Sequence, residues 1–281
     1  MPEITDNDRL YNPRFSVEAF PLFASRWVSS SAKARASSAC YLEVAYGPGT
    51  DQTLDVFPAA GQSRGLLMFI HGGYWRALDK RDFSFIAPGL TRAGVTVAIP
   101  NYSLCPRVTL GEIVMQMEQA CAWLHRNGRH FGAPPGSMVV CGHSAGGHLT
   151  AMMLARRWPG YAPDLPGDVI QAGLSISGVF DLQDLLDAPS INDEVRLDAR
   201  SVGDLSPARQ APVTDAPLWL AVGDDETGGF HRQHGLMLDR WSRVAKGHSC
   251  PGHHHFSILD ELAEPGGQLH DLVLSLMESS R

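Results

Sequence analysis

The stretch VVCGHSAGGHLTAMMLA, residues 139–155, joins an apolar run to a helical pattern through Gly142-His143-Ser144-Ala145-Gly146. Glycine, any residue, serine, any residue, glycine, set between a strand and a helix, makes a sharp turn. The turn holds its serine in a strained conformation at the carboxyl end of the strand, and the helix that follows aims its N-terminal N–H groups and positive dipole end at that point. Ser144 is therefore the candidate nucleophile. A helix N-cap in a Gly-rich loop is the bland alternative, and the strand before and helix after weigh against it. His143 leaves the turn in a different direction from the serine, and His148 reads as a helix-surface or packing histidine.

Outward from this turn, apolar runs alternate with helical patterns, which predicts an α/β fold: a mostly parallel sheet with helices on both faces. GLLMFI (65–70), VTVAIP (95–100), SMVVCG (137–142), VIQAGLSIS (169–177) and PLWLAVG (217–223) read as buried strands. YLEVAYG and TLDVFPA read as an opening pair around the turn GPGTDQ. DFSFIAPGLTRAG, TLGEIVMQMEQACAWLHRNG and GHLTAMMLARRW read as helices. Residues 1–281 are expected to form a single domain. Its first forty or so make an N-terminal helical extension, and about 181–213, which fit neither period, insert a small helical cap.

HGGYW (71–75) follows the strand GLLMFI. An attacking serine creates negative charge on the carbonyl oxygen, and backbone N–H groups stabilise it. One donor is expected from Ala145, and the others from the loop after the third strand, where Gly72 and Gly73 let the backbone approach a substrate without a Cβ. Tyr74 and Trp75 are expected as aromatic walls of the substrate pocket, with the Tyr74 hydroxyl free to bond a substrate; the alternative left open for Trp75 is that it packs under the loop and touches no ligand.

Composition narrows the partners. The chain has 281 residues and a formal charge of −7, and it shows no cluster of Lys and Arg, which argues against nucleic acid. No apolar run reaches the ~18–20 residues of a membrane span, and the N-terminus lacks the basic-then-apolar pattern of a signal peptide. Five scattered cysteines without CxxC spacing read as reduced thiols, so a cytoplasmic location is expected.

In a chain ordered serine, acid, histidine, the acid follows PLWLAVG, where Asp224, Asp225 and Glu226 stand side by side. The base comes near the end, from His253, His254 or His255. His255 is preferred because it directly precedes the apolar FSIL of the last helical pattern, with His254 second. Neighbours on an extended chain point in alternating directions, and no HExxH or Cys/His pairing supports zinc, so no metal is expected.

Taken together, the motifs resemble the α/β-hydrolase superfamily and, within it, the arylformamidase (kynurenine formamidase) group. The resemblance runs through LYNPR (10–14), HGGYW, NYSLCP (101–106), GHSAGGHL (142–149), SGVFDL (177–182), LSP (205–207), FHRQ (230–233) and HHF (254–256). It places the acid three residues after the strand's glycine, which selects Glu226 over Asp225 and implies a triad of Ser144, Glu226 and His255. Asp is common at that position, so Glu226 is a departure. The resemblance also implies a serine hydrolase without a cofactor that removes a formyl or other small acyl group from an aryl amine. A carboxylesterase for small acyl esters would use the same triad, and a non-catalytic ligand-binding protein on the same fold is the remote alternative. The expected partner is a small-molecule acyl amide or ester, aromatic as that family implies, with no nucleic acid, no membrane, and a homodimer left open.

Overall fold

The computed structural model describes residues 4–279. Among them, the strands are β1 (Tyr41–Ala45), β2 (Thr53–Phe57), β3 (Gly65–Ile70), β4 (Val95–Pro100), β5 (Met138–His143), β6 (Ala172–Ile176), β7 (Leu218–Gly223) and β8 (Ala245–Cys250). They form one sheet in the order β1-β2-β4-β3-β5-β6-β7-β8. β1 pairs antiparallel with β2, and β2 antiparallel with β4; from β4 to β8 every pairing is parallel. The expected mostly parallel sheet is observed.

The helices are α1 (Asp6–Tyr11), α2 (Phe20–Ser37), α3 (Ala87–Arg92), α4 (Leu110–Asn127), α5 (Ala145–Leu154), α6 (Trp158–Tyr161), α7 (Pro189–Val195), α8 (Ala199–Leu205), α9 (Gly228–Arg240), α10 (Asp260–Ala263) and α11 (Gln268–Ser279). Local chemistry sets several of their ends. Thr109 and Glu112 form a reciprocal capping box at the start of α4. DFSFIAPGLTRAG is not one helix: two 3₁₀ turns at Lys80–Asp82 and Ser84–Ile86 precede the short α3.

The two faces of the sheet carry separate cores, as alternation along a strand requires. Leu66, Met68 and Ile70 of β3 pack with α4 and α5 on one face, whereas Leu67 and Phe69 pack with α2, α3 and α11 on the other. α5 is buried along all ten residues, so its N-terminus is fixed directly above the sheet. β8 was not visible in the sequence. Its residues, AKGHSC, are largely exposed apart from Cys250, since it lies at the edge and buries no continuous apolar face. No helix among the described residues is long and apolar enough to cross a membrane.

Candidate active site

Ser144 sits between β5 and α5 with φ 57° and ψ −115°, a left-handed conformation that a non-glycine residue adopts only under constraint. The constraint is visible on both sides. Ser144 N–H donates to the Ile176 carbonyl at 2.7 Å. A Cβ on Gly146 would lie 2.0 Å from the Ile70 carbonyl oxygen, so α5 can pack this close to β3 only with glycine there.

Ser144 and His255 line one narrow cavity with about 500 Å³ of empty space, counting its open mouth. His255 Nδ1 lies 2.7 Å from Glu226 Oε2. The other Glu226 oxygen accepts from Ser177 Oγ at 2.6 Å and from Gly223 N–H at 2.9 Å. This carboxylate is fully buried, and its three partners account for both oxygens. Phe230 packs its ring 4.3 Å from the His255 ring. No hydrogen bond joins Ser144 Oγ to His255 among the described residues. Such bonds are often long without substrate and tighten in the complex.

The competing candidates diverge. Asp224 and Asp225 are exposed, and Asp224 bonds Ser249. His253 reaches Glu261 at 3.0 Å. His254 turns its Nδ1 to the N–H groups of Phe256 and Ser257 and ties the following turn. His143 bonds the His255 carbonyl through Nε2 at 2.7 Å and places its ring 4.8 Å from the His255 ring. Burial, together with the adjacent His255, holds His143 far below the usual histidine range and therefore neutral.

The HGGYW loop lies beside the serine. A Cβ on Gly72 would stand 3.2 Å from Ser144 Cβ. Gly73 has φ 109°, and a Cβ there would meet the Ala77 carbonyl oxygen at 2.1 Å. No hydrogen bond occupies the N–H of Gly73 or Ala145 among the described residues. Tyr74 and Trp75 follow with φ 49° and 57°, and their rings meet edge-on with centroids 5.8 Å apart. Tyr74 lines the cavity, but its hydroxyl donates to the Tyr11 carbonyl instead of standing free for a substrate. Trp75 follows the packing alternative and not the pocket-wall expectation. It is wholly buried and packs edge-on against His148, with ring centroids 5.0 Å apart, away from the cavity.

The aromatic lining comes instead from Phe20, Trp27 and Phe256 along with Tyr74. Phe20 and Trp27 belong to α2, in the segment before the sheet. Nothing in their local sequence marks them, because the contact is made by folding α2 across the strand ends. Asn12, Pro13 and Arg14 of the LYNPR stretch also line the cavity. The sequence alone gives that motif no role.

A mostly parallel sheet, with a strained serine between strand and buried helix and a Glu–His pair on the same cavity, defines the α/β-hydrolase class. Residues 67–201 match the family described as alpha/beta hydrolase fold. The kynurenine formamidase of Drosophila melanogaster is 30% identical over 231 residues, covering 78% of this chain and 75% of the relative. That of Danio rerio is 26% identical over 283 residues, covering 96% and 93%. A crystal structure of a candidate thioesterase from Silicibacter sp. TM1040 superposes with a TM-score of 0.86 at 32% identity, covering 96% of this chain and 99% of the other. The chain belongs to the α/β-hydrolase family. Within that family it is an arylformamidase-like hydrolase, acting on a small-molecule amide or ester.

Proposed function

We propose that the chain removes the formyl group from an aryl formamide of the N-formylkynurenine type, through a formyl ester on Ser144. The observation that carries the reading is the buried Glu226–His255 bond on the cavity that Ser144 lines. In this mechanism His255 Nε2 takes the Ser144 proton as Oγ attacks the formyl carbon. Glu226 fixes the His255 tautomer with Nδ1–H and stabilises the imidazolium. The negative charge on the carbonyl oxygen falls to the N–H groups of Gly72, Gly73 and Ala145, each worth roughly 3–4 kcal/mol in the transition state. Collapse expels the aryl amine with the proton from His255. Water, deprotonated by His255, then attacks the ester and releases formate.

The cavity supports an aryl leaving group, because Phe20, Trp27, Tyr74 and Phe256 give it flat apolar walls. The short helices and turns from Gln183 to Arg209 act as a cap together with the N-terminal segment. Thr5, Asn7 and Tyr11 bond Asp187 and Asp184, and Asn12 bonds Ser190.

The test is hydrolysis of N-formylkynurenine beside 4-nitrophenyl acetate, with the Ser144→Ala protein as control. Efficient deformylation that disappears in the variant is the expected result. Ester cleavage with negligible deformylation would sink the formamidase assignment and leave a small-acyl carboxylesterase. Unchanged activity in Ser144→Ala would remove the acyl-enzyme altogether.

A further inference from the structure

Two guanidinium groups line the cavity that holds Ser144 and His255, and no Asp or Glu is among its lining residues. Arg76, whose side chain is 18% exposed, is already engaged: it pairs with Glu194 and donates to the Ser190 carbonyl at 2.7 Å. Arg14 is different. It lies at the exposed end, its guanidinium 4.6 Å above the Phe20 ring, and among the described residues no carboxylate is within ion-pair distance of it. The group of Arg14, Arg76 and Glu194 therefore leaves one positive charge in excess at the cavity, in a chain whose formal charge is −7. Partial burial and then the neighbouring Arg76 work against Arg14's charge, and Glu194, which Arg76 holds, offsets part of this from a distance; an anion placed at Arg14 gains a partner that Glu194 does not supply directly.

We infer that Arg14, with Arg76 behind it, is a specificity-determining anion clamp that selects substrates bearing a carboxylate. The inference rests on the aryl acyl-hydrolase reading of the cavity. A planar guanidinium offers a carboxylate two parallel N–H bonds. Stacking on Phe20 holds that plane in place, which lowers the cost of ordering it when substrate binds. Arg14 acts on binding and orientation, and it takes no part in the proton transfers at Ser144.

The experiment measures kcat/KM for N-formylkynurenine and its methyl ester. A parallel ester pair consists of 3-carboxyphenyl acetate and phenyl acetate. Each pair is run on the native protein, Arg14→Gln and Arg14→Lys. The quantity read is the ratio of the carboxylate-bearing substrate to its carboxylate-free counterpart within each protein, which cancels any loss of folded enzyme. The native ratio is expected to fall about tenfold in Arg14→Gln, mainly through KM, to survive in part in Arg14→Lys, and to shrink with added salt. The same ratio in the native protein and Arg14→Gln, for every pair that is turned over, would overturn the clamp. If the esters are cleaved and neither formamide is, the formamidase reading fails, and the ester pair alone still decides whether Arg14 selects anions.

Discussion

Glu226 divides its oxygens between two jobs: one meets His255, and the other is held by Ser177 and the Gly223 N–H. With the carboxylate fully buried, losing any of these bonds leaves a charged acceptor short of a partner. Glu226→Gln should lower kcat by about 10³–10⁴, because an amide no longer fixes the histidine tautomer. Ser177→Ala should cost about tenfold in kcat and leave KM nearly unchanged, since the hydroxyl orients Glu226 and touches no substrate. Steady-state kinetics on one substrate checks both, and an unaltered kcat in Ser177→Ala would show that Gly223 alone suffices. The sequence made these residues unequally legible. Ser144 stands in a local pattern that its turn requires, and Glu226 was chosen only through the resemblance. Ser177 was invisible as a partner because its contact crosses 49 positions of chain. Trp75 was not legible as a buried residue because its partner, His148, lies 73 positions further along the chain.

The loop from His71 to Lys80 owes its shape to tethers at its ends. Tyr102 donates its hydroxyl to the His71 carbonyl at 2.9 Å, and Lys80 N–H donates to Asn101 Oδ1 at 3.1 Å. Lys80 Nζ reaches Asp55 at 2.7 Å and Glu43 at 2.8 Å, with the Lys80 and Asp55 side chains each 1% exposed. Removing one member of such a pair strands the other charge in the core. Lys80→Met should therefore destabilise the fold by about 3–5 kcal/mol, and Lys80→Met combined with Asp55→Leu should recover much of that loss. Urea unfolding at pH 7.5 reads both changes, and equal stability of the single and double variants would contradict the argument. Elements that bury an unbroken apolar run, such as β3 and β5, were readable from sequence, as was α4 from its helical spacing of apolar residues. The partly exposed edge strand β8 carries no such pattern. The wall supplied by α2 depends on where a helix docks, which local sequence does not encode.

Across the whole molecule, function depends on distant segments being folded together. Residues 5–14 reach the segment from 184 to 190 and α9, where Thr227 Oγ1 bonds the Leu10 carbonyl and Arg232 bonds Tyr11 and Asp184. Three histidines are buried among other parts of the fold: His71 between Phe83 and Tyr102, His143 against His255, and His148 against Trp75 and Leu205. Burial lowers the pKa of all three, and His148 is pushed down from 6.5 to about 4. The native state then carries these rings neutral, whereas the unfolded chain protonates them as pH falls through about 6.5. The unfolded state binds more protons in that window, so stability is fully present above pH 6.5 and declines toward pH 4. For His148 alone the loss amounts to about 3 kcal/mol across the window. His148 donates through Nε2 to the Leu205 carbonyl at 2.7 Å. Gln can keep that bond without titrating, so His148→Gln should lose less stability than the native protein between pH 7.5 and 5. Urea midpoints at both pH values measure the difference. Parallel declines in the two proteins would mean that His148 is charged in the fold, and that the buried start of α5 tolerates a cation.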